Sequence, residues 1–165
     1  MRNTGSGTVR ADTHTGRQAM ALGLNPYLQF TGNAAEAVAF YHSVFGGELN
    51  KMTYTEGMGD ENPATASNIM HSSLFTDRGF HLMAADAPVG MPSPANGTVS
   101  LSSNGENPAD DDTLRGYWEG LSDGAAITVP LEQAPWGDYF GQLTDRFGVN
   151  WMVNITGQQN ADAAR

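Results

Sequence analysis

The run Leu74–Met83, centred on Thr76-Asp77-Arg78 and Gly79, returns later as Gln142–Met152, centred on Thr144-Asp145-Arg146 and Gly148. One residue, Phe147, is inserted between the arginine and the glycine of the second copy. Each copy sets a turn between two apolar stretches, which is the pattern of a β-hairpin. A hairpin repeated within 165 residues points to two similar halves folded together.

The halves can be followed along the chain. In the first, residues 25–30 predict a strand, with Pro26 at its start because proline lacks an amide donor. Asn33 predicts the N-cap of a helix over 34–45, and Glu36 is spaced to complete a capping box. Val38, Tyr41 and Phe45 make its apolar stripe, and Gly46-Gly47 ends it. Residues 49–54 predict a strand and 55–67 a mobile loop. Strands over 68–76 and 80–85 then form the first hairpin. Ala87–Gly97, rich in Pro and Gly, is a linker. The second half repeats the order with a strand at 99–102 and then a helix through Leu121. Pro108 and the acids Asp110, Asp111 and Asp112 stand ahead of that helix, suiting the positive end of its dipole. Its stripe is Leu114, Tyr117, Trp118 and Leu121. Strands over 125–131, 139–144 and 149–155 follow, with a loop at 132–138. Each half is therefore βαβββ, and each helix is expected to pack on its own sheet. The class is α+β, two tandem modules of about 24–86 and 98–156 making a curved, mixed sheet around a cleft. Residues 24–156 form one domain, 1–22 a disordered extension or a remnant of expression, and 157–165 a polar tail.

Composition narrows the function. A net charge of −10 repels phosphate backbones and anionic lipid heads, so nucleic acid is not an expected partner. No apolar run approaches the roughly 20 residues that span a bilayer. With no cysteine there is no disulfide, thiolate nucleophile or Cys-based zinc site. The cytoplasm is the expected compartment. No glycine loop opens a helix in the way phosphate binding requires. Asp77 and Asp145 read as turn makers that bond their own backbone. Ser100, Ser102 and Ser103 have no His and acid companions nearby in sequence.

Three stretches carry a resemblance. They are Pro26-Tyr27-Leu28-Gln29-Phe30 with Gly32-Asn33-Ala34 and Phe40-Tyr41; Ile69-Met70-His71; and Trp136-Gly137 with Thr144 to Asn154. In their order they resemble the vicinal oxygen chelate superfamily of glyoxalase and bleomycin-resistance proteins, and within it the PhnB-like branch. Members of that branch are often labelled ubiquinone-pathway methyltransferases. This chain has no glycine-rich strand-turn-helix unit to hold S-adenosylmethionine.

The resemblance implies where a metal would sit: one ligand on the first and one on the last strand of each half. Those positions fall on Pro26, Met83, Thr98 and Met152. Proline offers no side-chain ligand, a threonine hydroxyl is weak, and thioethers suit soft metals. The expectation is a metal-independent binder of a small apolar or aromatic molecule, with no cofactor. Its cleft would be lined by Tyr27, Gln29, His71, Met83, Trp136, Tyr139 and Met152. Met83 and Met152 either adapt to a ligand or fill the core. Trp136 either stacks on a planar ligand or anchors its loop. Two alternatives stay open. One is a metal-dependent lyase, isomerase or dioxygenase with a divalent metal on His71, His81 and Asp86. The other is a structural dimer with a vestigial cleft. A homodimer is implied by the resemblance, because open sheet edges in this fold are commonly paired.

Overall fold

The computed structural model describes residues 23–93 and 95–157. The extension and most of the polar tail expected from the sequence lie outside them. The first module runs β1 (Tyr27–Phe30), α1 (Ala34–Phe45), β2 (Glu48–Thr53), α2 (Tyr54–Met58), β3 (Ile69–Phe75) and β4 (His81–Asp86). The second runs β5 (Thr98–Ser102), α3 (Pro108–Ser122), β6 (Ala126–Gln133), β7 (Tyr139–Thr144) and β8 (Asn150–Ile155). Each module folds into a four-stranded mixed sheet, ordered β1-β4-β3-β2 and β5-β8-β7-β6. The first and last strands of each sheet pair in parallel and the other pairs are antiparallel. The α+β class and the tandem modules are as the sequence predicts.

Four local details differ from expectation. A short helix, α2, begins the stretch read as a mobile loop. A capping box fixes it: Glu56 N donates to Thr53 Oγ1 at 3.2 Å, and Thr53 N donates to Glu56 Oε2 at 2.8 Å. No such box forms at α1, where the Asn33 side chain makes no cap bond. Asp86, at the end of β4, takes that role from 52 residues away: its Oδ1 accepts from Ala34 N at 3.0 Å and from Gly32 N at 2.7 Å. In the second module α3 takes in Pro108 and the acids instead of following them, with Pro in the first turn, where a missing N–H costs nothing. Trp118 is only half-buried and lies over Gly141, where a Cβ would come within 2.8 Å of the indole.

The repeat is real, but its register is not the one the letters suggest. Thr76 N donates to Phe80 O and Gly79 N to Thr76 O; Asp145 N donates to Val149 O and Gly148 N to Asp145 O. The turns have equal length, and Thr76 corresponds to Asp145, not to Thr144. The shared Thr-Asp-Arg is thus offset by one residue between the copies. Counting from the glycines, Met83 and Met152 do correspond.

Both sheets bury the face that carries their helices, and they bury it in one core. Leu28, Phe30, Leu74 and Ala84 of the first sheet share this core with Leu101, Leu143, Trp151 and Val153 of the second. Helix α1 lies between them. Tyr41 and Phe45 meet Trp151 at a tilt, with centroid distances of 5.6 and 5.4 Å, and Phe45 meets Tyr117 of α3 edge-on at 5.0 Å. The helices therefore pack on each other as well as on their own sheets. Among the described residues no helix is long and apolar enough to cross a membrane.

Candidate functional site

Because side chains alternate along a strand, the cross-strand register assigns every residue to a face. On the first sheet the open face, opposite the helices, carries Tyr27 and Gln29 of β1, His81 and Met83 of β4, and His71, Ser73 and Phe75 of β3. Asn50 and Met52 of β2 join them through Ser73 and His71. Tyr27 Oη lies 3.3 Å from His71 Nδ1, with the rings 5.9 Å apart. Burial, and Tyr54 beside it, push the Tyr27 hydroxyl above its usual value near 10. His81 stacks flat on Phe75 at 4.0 Å and its Nε2 lies 2.6 Å from Ser73 Oγ.

The second sheet's open face carries Ser100, Met152 and Gln142 in one row, flanked by Thr98, Asn150 and Thr144 on one side and Ser102, Asn154 and Phe140 on the other. Trp136 stands beside this face, 6.1 Å from Phe140 and 58% exposed. Tyr139 does not belong to it. It pairs with the buried Ile155 on the helix side, beneath the Arg115 guanidinium at 4.5 Å. That corrects the expected lining, and the reason is strand parity: Tyr139 and Met152 point to opposite faces.

The two open faces turn away from the core that the helix sides of both sheets share. Tyr27, Gln29, His71 and Met83 form one group; Trp136 and Met152 form another. A groove of about 330 Å³, which the sequence did not announce, opens instead where the modules meet, lined by Pro26, Phe45, Phe80, His81, Leu101 and Trp151.

The metal sets fare differently from their sequence positions. The register places Tyr27 beside Met83 and Ser100 beside Met152, so Tyr27 and Ser100, not Pro26 and Thr98, are the corresponding first-strand positions. Tyrosine, serine and two thioethers do not make a site for a hard divalent ion. The alternative set does not assemble either. Asp86 faces the helix side, is 2% exposed, and spends both carboxylate oxygens on backbone N–H groups, Oδ2 accepting from Ile69 N at 2.9 Å. Among the described residues no three of His, Asp and Glu gather as metal ligands.

Asp145 is the site that turn chemistry alone undersold. Its Oδ1 accepts from Phe147 N and Val149 N at 2.8 and 3.0 Å, as a turn aspartate should. Its Oδ2 accepts from Tyr41 Oη at 2.7 Å and Trp151 Nε1 at 2.9 Å. Buried and fully satisfied, it joins the two modules. Asp77 sits one place further along its own turn and is exposed.

Comparison with known proteins agrees with this geometry. A family model described as 3-demethylubiquinone-9 3-methyltransferase matches residues 23–154. Protein YjdN of Escherichia coli K12 is 30% identical over 148 residues, covering 82% of this chain and 97% of YjdN. The crystal structure of PA1353 from Pseudomonas aeruginosa superposes with a TM-score of 0.68 at 33% identity, covering 82% of this chain and 98% of that one. A glyoxylase/bleomycin resistance protein/dioxygenase domain from Frankia shares the fold at a TM-score of 0.55, with 14% identity over 83% of this chain and 98% of its own. Tandem βαβββ modules, a match over most of the chain and a relative aligned along nearly its whole length lead to one assignment: the chain belongs to the 3-demethylubiquinone-9 3-methyltransferase family.

Proposed function

We propose that this protein binds a small apolar or aromatic molecule without a metal, in a cleft that two copies of the chain build together. The observation that carries the proposal is the placement of the open faces. Each holds a half-buried methionine at its centre, Met83 on one and Met152 on the other, among hydrogen-bonding and aromatic side chains. Neither face encloses a ligand by itself, because each turns away from the core that the helix sides share. A two-fold dimer in which the first sheet of one copy meets the second sheet of the other would make two equivalent clefts. Methionine suits such a wall because it is polarizable and adapts to irregular ligands.

Methyl transfer, which the family's description names, gains nothing from these residues. The β1–α1 turn, where a nucleotide-like cofactor would approach a helix N-terminus, has its Gly32 and Ala34 N–H groups already occupied by Asp86.

Nile red, a neutral dye that brightens in apolar surroundings, tests the proposal. Titrated into the full chain, it should bind saturably, one per protomer, equally with chelator or with added zinc, nickel or manganese. Binding that requires one of those ions would overturn the metal-independent reading. No saturable binding by Nile red or a panel of aromatic compounds would leave a structural dimer.

A further inference from the structure

We propose that the ligand is an organic cation, an aromatic or alkyl body carrying a protonated amine or quaternary nitrogen. This rests on the binding reading above and adds the charge of the ligand. It starts from which charges the open faces present. On the first sheet the charged strand residue is Glu48, at the start of β2; its pairing with Phe75, and the 3.1 Å bond from Asn50 Nδ2 to its Oε1, place it on the open face. On the second it is Glu132 of β6, which pairs with Phe140. Both are exposed and both lie on the outer strand of their sheet, at the rim of a cleft built from the two.

Among the described residues no lysine or arginine forms an ion pair with either of them. The Lys and Arg among the described residues are Lys51, Arg78, Arg115 and Arg146. Lys51 pairs with the buried Ser72, on the other face. Arg78 bonds Asp110 at 2.6 Å and Thr113 at 2.8 Å, Arg115 lies over Tyr139 on the helix side, and Arg146 holds Asp123 and covers Phe40. An anionic ligand would meet two carboxylates and, among the described residues, no lysine or arginine on either open face.

The rest of the lining fits a cation as well. Tyr27 and Phe75 on one face are 44% and 43% exposed, and Trp136 beside the other is 58% exposed. Aromatic faces attract ammonium groups through the ring quadrupole, most strongly where carboxylates stand nearby and water is thinned. The methionines add polarizable surface for the organic body.

Three probes on one three-ring frame test the inference by fluorescence titration of the full chain: 9-aminoacridine as the cation, 9-anthracenemethanol as the neutral form and 9-anthracenecarboxylate as the anion. The cation should bind at least about tenfold tighter than the neutral probe, and the anion most weakly. Glu48→Gln and Glu132→Gln should each weaken the cation roughly threefold and leave the neutral probe unchanged. Glu119→Gln, on the exposed side of α3, removes the same charge elsewhere and should change neither. Equal or tighter binding of the neutral probe or the anion overturns this inference alone and leaves the binding reading in place. So does a loss in Glu119→Gln equal to that in Glu48→Gln, because the preference would then be a general effect of net charge. If none of the three binds, the underlying reading falls and this inference falls with it.

Discussion

Tyr41 Oη donates to Asp145 Oδ2 at 2.7 Å, across 104 residues of sequence, and fastens the first module's helix to the last hairpin of the second. The same carboxylate accepts from Trp151 Nε1 and from two backbone amides of its own turn. Removing it orphans four buried or half-buried donors at once. Asp145→Ala should cost about 3–5 kcal/mol in urea unfolding. Tyr41→Phe removes one bond to a charged acceptor and should cost about 1.5–3 kcal/mol. A neutral Tyr41→Phe would mean that the modules are held by apolar packing alone.

The same bond fixes an alkaline limit. Burial first, and then the Asp145 charge and hydrogen bond, push the Tyr41 hydroxyl far above its ordinary value of 10. Its folded pKa is raised, so its contribution is complete below about pH 10 and declines above it, where the unfolded chain loses that proton and the folded chain keeps it. Stability should fall with a slope of up to about 1.4 kcal/mol per pH unit from this residue. Tyr27 and Tyr117 are shifted in the same direction and add to the slope. Unfolding free energies measured between pH 9 and 11 should show the wild-type slope reduced in Tyr41→Phe; parallel curves would contradict it.

Asp86 should prove structural. Its carboxylate serves Gly32 N, Ala34 N and Ile69 N, tying the start of α1 and the start of β3 to the end of β4. Asp86→Ala should cost about 2–3 kcal/mol and speed amide exchange at Ala34. Asn33→Ala should cost almost nothing, since the side chain at the usual cap position makes no cap bond. The reverse order of the two would show that the local cap prevails.

These pairs mark what the sequence could and could not say. Helix stripes and glycine turns fixed the order of elements, because their periods are local. The cap of α1 was not legible, because its carboxylate comes from 52 residues away. The Thr-Asp-Arg repeat misled by one place, since turns are matched by their hydrogen bonds and glycine, not by shared letters. Tyr139 falls on the helix side because a period of two makes any difference of one residue a change of face. An apolar stripe also says that a helix face is buried without saying what buries it. Tyr41 and Phe45 read as packing on their own sheet; in fact they also meet Trp151, and that contact closes the helix sides of both sheets on one core.

Gly47 is confined by geometry that no other residue meets. Its φ is +93°, and a Cβ there would lie 2.1 Å from Phe75 O and 2.7 Å from Thr76 Cα. Gly47→Ala should therefore cost more than the roughly 1 kcal/mol of a positive-φ alanine alone, and should loosen the β2–β3 pairing at Glu48 and Phe75. Gly46, also at positive φ but with open space around it, should pay only the conformational term. Equal losses in the two variants would mean that the β2 entry shifts to make room.

A cleft shared between copies predicts complementation. Met83→Arg spoils the first face and Met152→Arg the second, each by placing an unmatched cation at the centre of an open face. In either homodimer both clefts then contain one damaged wall, and Nile red binding should be lost in each. When the two variants are unfolded together and refolded as a mixture, about half the dimers are heterodimers. In a heterodimer one cleft carries both substitutions and the other carries neither. About a quarter of the wild-type sites should therefore return. Circular dichroism and sedimentation of each single variant establish that it still folds and dimerises. A cleft closed within one chain gives no recovery, because every chain in the mixture has one damaged face. Recovery near a quarter thus tests the dimer and the placement of Met83 and Met152 in one measurement.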